Sequence, residues 1–268
     1  MTRPYAEVIG DPIAHSKSPL IHKFWLEKLG IAADYRLCHV RDGALAGYFA
    51  NRRADPTWRG CNITLPHKVA VMSLVDRLSP LASRIGAINT IVRNTDGSLD
   101  GGNTDATGFA EPLTNHHFSC VTVIGAGGAA RAVLAGLATR RIARLTLLNR
   151  DVTKARALLT SFGIVGYADT LDADVPIADL LINASSLGMA GCPELPPVEQ
   201  HVAIGGLVYD LVYAPLETRL LVAARQRGLK TLDGLTMLVA QAAEAFAAFF
   251  GQPAPREHDA ELRALLTA

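Results

Sequence analysis

A glycine-rich turn between a short apolar run and an Ala/Leu-rich segment constrains the fold of this chain more than any other feature. The run Val121-Thr122-Val123-Ile124 is followed at once by Gly125-Ala126-Gly127-Gly128-Ala129-Ala130, which fits the pattern G-x-G-x-x-G/A. Residues 129–140 have a helical composition, and residues 144–148 form a second apolar run. Together they predict a β-α-β unit, which is typical of an α/β fold with mostly parallel strands.

The spacing within this turn gives each small residue a physical role. Gly125 permits a tight turn, Gly127 lets the backbone approach a pyrophosphate, and Ala130 keeps the helix close to the strand. The helix N-terminus offers unpaired N–H groups and a favourable dipole to phosphates. The pattern predicts a dinucleotide site, and the alternative is a tight strand-to-helix turn that binds nothing.

The end of the second strand distinguishes NAD from NADP. Many NAD sites carry Asp or Glu there to bind the ribose 2′-OH, whereas this chain has Asn149-Arg150. A planar, permanently charged guanidinium suits a 2′-phosphate, and Lys154 adds a second cation. Asp151 opposes this interpretation, because it can neutralise Arg150 or bind a ribose hydroxyl itself. These residues favour NADP as the cofactor, and NAD stays an alternative. A further alternative is that Arg150 is only a solvated charge at the start of a helix.

Length and composition limit the number of domains and argue against a disordered chain and against a nucleic-acid partner. The chain has 268 residues, enough for one large domain or two modest ones, and 49% apolar with 19% charged residues excludes a disordered chain. The net charge is +1 and there is no basic stripe, so we expect no nucleic-acid partner.

Cysteine usage and hydropathy bear on the compartment. Cys38, Cys61, Cys120 and Cys192 are far apart, with no C-x-x-C pair and no histidine at ligand spacing, so we expect neither disulfides nor a metal site. The N-terminus lacks the apolar stretch of a signal peptide, and there is no run of 18 apolar residues. We therefore expect a cytoplasmic protein with no membrane partner.

The remaining segments alternate between strand and helix patterns. Asn94 to Gly97 has hairpin-turn chemistry, and residues 101–111 are the expected hinge before the glycine-rich unit. The predicted strands cover 5–10, 35–40, 60–65, 89–93, 180–182 and 207–211, and the predicted helices cover 19–30, 45–51, 69–74 and 235–250.

Three polar clusters precede the glycine-rich unit: residues 15–19, residues 60–68, and Asn89-Thr90 together with residues 101–105. In the first cluster, Ser18 is either a ligand-binding residue or the N-cap of the following helix. In the second, a strand delivers Thr64 and Lys68 to its carboxyl end, where α/β proteins bind ligands.

Lys68 and Asp105 are the candidates for acid–base chemistry. Hydride transfer to a ketone needs a proton at the forming alkoxide, and a lysine of tuned pKa can donate it. A neighbouring carboxylate orients the lysine and raises its pKa, so burial has to compensate. The alternative for each residue is a surface charge. For His67 a turn role is favoured over a base, and His15, His116 and His117 lack metal spacing.

Seven motifs, in order along nearly the whole chain, resemble those of the shikimate dehydrogenase family. Their order and number make the resemblance far more specific than any single motif. The motifs are G-D-P-I-A-H-S-K-S-P (10–19), G-C-N-I-T-L-P-H-K (60–68), G-A-I-N-T (86–90), G-N-T-D (102–105), G-A-G-G-A-A-R (125–131), Y-D-L-V-Y (209–213) and D-G-L-T-M-L-V-A-Q-A-A (233–243).

The resemblance implies an α/β protein with two domains. An N-terminal α/β substrate domain, residues 1–106, is completed by C-terminal helices that return to it, residues 236–268; residues 107–235 form a Rossmann NADP-binding domain. The implied activity is the reversible NADPH-dependent reduction of 3-dehydroshikimate to shikimate. The implied partners are these small molecules and the nucleotide. The implied oligomeric state is a monomer or a homodimer.

The resemblance also implies roles for individual residues. Lys68 and Asp105 are the catalytic pair, with Lys68 the proton donor and acceptor. The substrate residues are Ser16 and Ser18 at the carboxylate, Thr64, Asn89 and Gln241 at the ring hydroxyls, and Tyr213 near the carboxylate end. The cofactor residues are Gly125, Ala126, Gly127, Gly128 and Ala129 at the pyrophosphate, Asn149, Arg150 and Lys154 at the 2′-phosphate, and Leu211 and Gly234 near the nicotinamide.

Three departures from the family pattern leave alternatives open. Asp151 stands where strict NADP users often have Thr or Ser, Gly102 replaces a common Asp or Tyr, and Ser185 replaces a more usual Thr. The alternatives are an NAD-preferring quinate/shikimate dehydrogenase or paralogue, and a catalytically weak nucleotide-binding sensor on the same fold.

Overall fold

Two β-sheets with flanking helices make up the computed structural model, which describes residues 3–268. In chain order the strands are β1 Tyr5–Gly10, β2 Asp34–His39, β3 Trp58–Ile63, β4 Arg77–Leu78, β5 Thr90–Arg93, β6 Leu99–Gly102, β7 Cys120–Ile124, β8 Arg144–Leu148, β9 Tyr167–Asp169, β10 Ala178–Asn183, β11 Val202–Asp210 and β12 Lys230–Leu232. The helices are α1 Ser18–Lys28, α2 Leu45–Arg53, α3 Pro80–Ile85, α4 Asp105–Ala110, α5 Gly128–Leu137, α6 Val152–Ser161, α7 Arg219–Gln226, α8 Gly234–Phe250 and α9 Asp259–Thr267.

The backbone divides into two compact units. The first unit runs to Thr104 and resumes from Val239 to Ala268, and the second runs from Asp105 to Leu238. The first unit therefore contains β1 to β6 and most of α8, and the second contains β7 to β12. Each unit has its own sheet and its own buried core.

The sheet of the first unit is mixed, in the order β2-β1-β3-β5-β6-β4. β1 pairs in parallel with β2 and β3, whereas β5 runs antiparallel to β3 and to β6. The β5–β6 reversal is the hairpin expected at residues 94–97, where the Gly97 φ of +85° permits the turn. Consequently the first residues of β5 lie beside the last residues of β3.

The sheet of the second unit is parallel throughout, in the order β12-β11-β10-β7-β8-β9. Its central strands are apolar because helices cover both faces of a parallel sheet. In β7 and β8 the last four residues are buried, and α5 buries an Ala- and Leu-rich surface beside them. This is the β-α-β unit that the glycine-rich turn predicts.

Helix ends follow local chemistry. The N-cap of α3 is Ser79, whose hydroxyl accepts from the Ala82 N–H at 3.1 Å. The helix ends before Gly86, whose φ is +69°. α7 is capped by Thr218. The predicted helix at 69–74 is a 3-10 turn over Ala70–Leu74, and residues 105–110 of the expected hinge form α4. No helix in residues 3–268 combines the length and hydropathy needed to cross a membrane.

Candidate functional site

The candidate substrate residues of the first unit gather where β3 ends and β5 begins. Thr64 follows the last residue of β3, and its backbone N–H donates to the Ile9 carbonyl at 2.9 Å. Asn89 directly precedes β5, and its carbonyl accepts from the Ile63 N–H at 2.7 Å. Because β5 runs antiparallel to β3, Asn89 at the start of β5 lies beside the carboxyl end of β3. In a parallel pair, the start of β5 would lie beside the start of β3 instead.

Asn89 and Gln241 meet although 152 positions separate them in the chain. The Asn89 amide Nδ2 donates to Gln241 Oε1 at 3.3 Å and to Thr104 Oγ1 at 3.0 Å. Both amide side chains are buried, with exposed fractions of 2% for Asn89 and 8% for Gln241. The return of α8 into the first unit thus supplies Gln241 to this cluster.

Three further polar side chains in this region were given no individual role by the sequence analysis, although Asn62 and Thr90 lie in its polar clusters. Asn62 on β3 donates from Nδ2 to Thr90 Oγ1 at 3.1 Å, and its Oδ1 accepts from the Tyr35 hydroxyl at 2.6 Å. Asn62, Thr90 and Tyr35 are all buried. Asn62 within an apolar strand is a detectable signal, since a buried amide needs partners. Nothing local marks Tyr35, whose partner lies 27 positions away.

Lys68 lies in a turn that the sheet and a buried histidine hold in place. The Lys68 carbonyl accepts from the Ile88 N–H at 2.8 Å, and the Lys68 side chain is half-buried. The neighbouring His67 is fully buried, and its Nε2 lies 2.6 Å from the Val40 carbonyl. Because a carbonyl only accepts, His67 carries its proton on Nε2 and serves to anchor the turn.

Ser16 and Ser18 lie at the start of α1. The interpretation of Ser18 as the N-cap of this helix is wrong. The N-cap is Lys17, which makes no side-chain capping bond, and Ser18 is the first helical residue. Pro19 supplies the helical start, because its missing N–H is one that a helix end leaves unpaired. The Ser16 hydroxyl accepts from the Ser18 N–H at 3.3 Å. The Ser18 hydroxyl is thus available for a role other than capping.

Two of the candidate catalytic and substrate-binding residues belong to the second unit. Asp105 is the first residue of α4 and is buried, with an exposed fraction of 7%. Tyr213 follows β11 and is half-buried, and burial raises the pKa of its phenol above 10. The Tyr213 hydroxyl therefore stays protonated at neutral pH and can donate a hydrogen bond.

The glycine-rich turn joins β7 to α5, and its first glycine is required by the protein itself. Gly125 has φ of +104°, and a Cβ at this position meets the Ala184 carbonyl oxygen at 2.9 Å. A side chain is excluded by both backbone conformation and space. Ala126 is buried behind the turn, and Ala130 is fully buried against the sheet.

Nothing in the described residues 3–268 requires glycine at position 127. Its φ of −94° is ordinary for any residue, and a Cβ there meets no protein atom within 4 Å. Gly127 is the N-cap of α5, so the N–H groups of Gly128 and Ala129 lie in the first turn, where a helix supplies no backbone acceptors. Open space beside a helix N-terminus fits a pyrophosphate, which needs close approach to backbone donors.

The segment after β8 carries two cationic side chains, Arg150 and Lys154, and a carboxylate, Asp151, that caps the next helix. Asp151 is the N-cap of α6, and its Oδ1 accepts from the Lys154 N–H at 3.0 Å. Arg150 and Lys154 are exposed, and no ion pair joins Arg150 to Asp151 in residues 3–268. Asn149 Nδ2 donates to the Asp151 carbonyl at 2.9 Å, which fixes the turn. One oxygen of the carboxylate that opposed the NADP interpretation therefore caps α6.

Leu211 and Gly234 lie together after β11 and at the start of α8. A Cβ on Gly234 clashes with the Leu211 carbonyl oxygen, and the Gly234 N–H donates to the Val212 carbonyl at 3.3 Å. Glycine is thus needed for this close packing of two backbone segments. Both residues flank the carboxyl edge of the parallel sheet, where ligands bind in α/β folds.

Family models match this chain in three segments. Residues 8–91 match the shikimate dehydrogenase substrate binding domain, and residues 110–188 match shikimate / quinate 5-dehydrogenase. Residues 234–261 match the shikimate 5′-dehydrogenase C-terminal domain.

Individual proteins are similar over almost the full length. The shikimate dehydrogenase (NADP(+)) of Sphingopyxis alaskensis is 57% identical over 267 residues, covering 99% of this chain and 97% of that protein. Shikimate 5-dehydrogenase from Thermus thermophilus, solved with NADP(H) and shikimate, is 36% identical with a TM-score of 0.87, covering 98% and 99% of the two chains. The ligand-free 5-ketofructose reductase of Gluconobacter is 31% identical with a TM-score of 0.89, covering 99% of both chains. On this identity and coverage, the chain belongs to the shikimate dehydrogenase family.

Proposed function

We propose that this protein catalyses the reversible NADPH-dependent reduction of 3-dehydroshikimate to shikimate. The observation that carries the proposal is the 57% identity, over 267 residues, to a shikimate dehydrogenase named for NADP(+). Within this frame, the polar cluster of the first unit supplies hydrogen-bonding side chains for a hydroxylated ring, and the glycine-rich turn of the second unit supplies backbone donors for a dinucleotide.

Substrate binding is assigned to hydroxyl and amide side chains. Ser16 and Ser18 donate hydrogen bonds to the carboxylate, with Tyr213 near the same end. Thr64, Asn89 and Gln241 bind the ring hydroxyls. Amide and hydroxyl groups both donate and accept, so they match alcohol groups better than charged side chains do. The burial of Asn89 and Gln241 strengthens these hydrogen bonds by excluding water.

Proton transfer is assigned to Lys68, with Asp105 as the second catalytic residue. When bound, the reduced nicotinamide supplies the hydride that converts the ketone carbon to an alcohol carbon. The Lys68 ammonium donates a hydrogen bond to the ketone oxygen and gives up a proton as negative charge develops there. In the reverse reaction Lys68 accepts the hydroxyl proton. The Asp105 carboxylate orients the reacting groups by accepting hydrogen bonds.

Cofactor binding is assigned to the second unit. The N–H groups of Gly125 to Ala129 hold the pyrophosphate, while Leu211 and Gly234 border the nicotinamide. Asn149, Arg150 and Lys154 contact the 2′-phosphate, and the capping role of Asp151 leaves the Arg150 guanidinium to bind it bidentately. The exposure of both cations supports NADP over NAD.

Two broader assignments accompany this function. We propose a cytoplasmic enzyme that acts as a monomer or homodimer and takes small molecules as its partners. The wide separation of Cys38, Cys61, Cys120 and Cys192 along the sequence supports a reducing compartment. Analytical ultracentrifugation of the purified protein decides between one and two copies.

Initial rates with shikimate and with quinate, each against NADP and NAD, test the proposal. We expect turnover with shikimate and NADP to exceed the other three combinations by at least tenfold. The 5-ketofructose reductase of similar fold makes this substrate test necessary, because fold alone does not determine the reacting alcohol. Faster turnover of quinate, or equal use of NAD, contradicts the proposal.

A further inference from the structure

A directed chain of hydrogen bonds crosses the interior of the first unit and begins at Tyr35. The Tyr35 side chain is fully buried, and its hydroxyl donates to Asn62 Oδ1 at 2.6 Å. Because Asn62 Oδ1 accepts from Tyr35, the other amide atom, Nδ2, faces β5. There it donates to Thr90 Oγ1 at 3.1 Å and to the Asn89 carbonyl at 3.2 Å.

The orientation of each group in this chain determines the next. Thr90 Oγ1 receives its hydrogen bond from Asn62 and therefore donates its own proton to Asn89 Oδ1, at 3.0 Å. Asn89 Oδ1 also accepts from the Thr104 N–H at 2.8 Å. With its oxygen committed in this way, Asn89 directs Nδ2 to Gln241 Oε1. The Tyr35 phenol thus sets the direction of amides that are assigned to the ring hydroxyls.

Burial keeps the Tyr35 phenol in the protonated form that this chain needs. Together with Cys61 and Glu7, burial raises the pKa of Tyr35 well above 10. The phenol is therefore protonated throughout the working pH range and donates its one proton to Asn62 Oδ1.

Packing holds the Tyr35 ring in this position. The His22 imidazole stacks on it with 3.9 Å between ring centroids and 1° between planes, and Phe249 lies at 6.4 Å. A ring fixed by stacking keeps its hydroxyl in place without needing a further polar partner.

We propose that Tyr35 is a positioning residue whose hydroxyl, through Asn62 and Thr90, fixes the orientation of Asn89 and Gln241 at the hydroxyl end of the shikimate subsite. This rests on the proposed function. The hydroxyl touches neither ligand. It removes alternative orientations of Asn62, Thr90 and Asn89, so that the donors and acceptors already point correctly when substrate arrives.

Tyr35→Phe tests the proposal, and Tyr48→Phe is its matched control. Tyr48 is also in the first unit, and its hydroxyl donates to Glu7 Oε1 at 2.7 Å, outside the chain from Tyr35. We expect Tyr35→Phe to raise the KM for shikimate about tenfold, with kcat within about threefold and the KM for NADP within about twofold of the wild type. Tyr48→Phe leaves both KM values within about twofold.

A second pair of variants keeps the test informative if Tyr35→Phe folds poorly. Thr90→Val breaks the same chain beyond Asn62, whereas Thr90→Ser keeps the hydroxyl. We expect Thr90→Val to raise the KM for shikimate and Thr90→Ser to restore it. If Tyr35 and Thr90 act through one chain, the double variant Tyr35→Phe/Thr90→Val has a smaller effect than the product of the two single effects.

The outcomes separate this inference from the proposed function. A wild type that does not oxidise shikimate with either nucleotide overturns the proposed function and the inference with it. An active wild type in which Tyr35→Phe matches Tyr48→Phe, or in which the two single effects multiply, overturns the inference alone.

Discussion

The polar cluster of the first unit and the glycine-rich turn of the second, to which we assign substrate and cofactor binding, are built in opposite ways. The cluster uses side chains from β3, from the start of β5 and from α8, and buried hydrogen bonds orient them. The turn uses backbone N–H groups at the start of α5 and leaves the space beside Gly127 open. Under the proposed function, the first arrangement distinguishes hydroxyl patterns, whereas the second recognises a phosphate group that many nucleotides share.

This difference predicts where each region is sensitive to mutation. In the cluster, a single lost hydroxyl changes the orientation of its neighbours, because buried polar groups depend on one another. In the turn, a gained methyl group is enough to matter, because the backbone itself is the binding surface.

Lys68→Ala removes the proposed proton donor from the first unit. We expect kcat to fall roughly 10²- to 10⁴-fold, the usual contribution of general acid–base catalysis. The KM for NADP stays within about twofold, because Lys68 lies outside the glycine-rich turn. Steady-state kinetics in both directions measure these values. Retention of wild-type turnover rules out Lys68 as the proton donor.

Gly127→Ala and Gly125→Ala separate a ligand requirement from a folding requirement in the turn. The Gly127 variant has room for its methyl group within the protein, so we expect unchanged thermal stability and an NADP KM raised about 100-fold by misplacing the pyrophosphate. The Gly125 variant has φ of +104° and a clash with Ala184, so it loses about 1–3 kcal/mol of folding free energy. Calorimetry and kinetics on both variants distinguish the two effects. Equal behaviour of the pair shows that both glycines are structural.

Arg150→Ala tests whether the second unit recognises the 2′-phosphate by charge. We expect the KM for NADP to rise roughly 10- to 100-fold, the range for a lost charge-assisted hydrogen bond to a phosphate. The KM for NAD, which has no 2′-phosphate, does not change. Initial rates with both nucleotides measure this. An unchanged KM for NADP contradicts the assignment of Arg150.

His22 makes the interior of the first unit sensitive to acid. Burial lowers the pKa of His22 from 6.5 to about 3, and in residues 3–268 neither ring nitrogen has a hydrogen-bond partner. Between pH 6.5 and pH 3 the unfolded chain binds a proton that the folded chain does not, so stability falls as pH falls. From pH 8 to pH 5 we expect a loss of about 2 kcal/mol from this group, absent in His22→Phe. Urea unfolding at both pH values measures it, and an equal loss in the variant contradicts the assignment.

Asp151→Ala has the smallest expected effect. It removes the cap of α6, which costs about 1 kcal/mol of folding free energy. Because the carboxylate is engaged at the helix end, the ratio of the KM values for NADP and NAD does not change. A shift of that ratio towards NADP shows that Asp151 competes for the ribose. Thermal unfolding and the two-nucleotide assay together give both numbers.

The two regions also differ in how far the sequence predicts them. The turn is local: β7, Gly125 to Ala130 and α5 are consecutive, so spacing and small residues are sufficient. The capping role of Asp151 was not predicted, because a side chain before a helix can face either the helix end or a ligand. Ser18 shows the same ambiguity with the opposite outcome, since Lys17 is the N-cap.

The cluster depends on contacts between distant parts of the chain. The motif resemblance identifies Asn89 and Gln241 as site residues, but the hydrogen bond between them, across 152 positions, follows only from the return of α8. Asn62 is recognisable as a polar residue in an apolar strand. Tyr35 is not recognisable, because an aromatic residue in a buried strand is common and its hydroxyl partner is set by the pairing of β2, β1 and β3.

Calorimetric titration of shikimate and of NADP, each into the wild type, Asn89→Ala and Gly127→Ala, tests most directly whether side chains of one unit bind the substrate and the backbone of the other binds the cofactor. We predict that Asn89→Ala weakens shikimate binding at least tenfold and leaves the Kd for NADP within about twofold, while Gly127→Ala does the reverse. If both variants weaken both ligands equally, or if Asn89→Ala binds shikimate as the wild type does, this division of labour is contradicted.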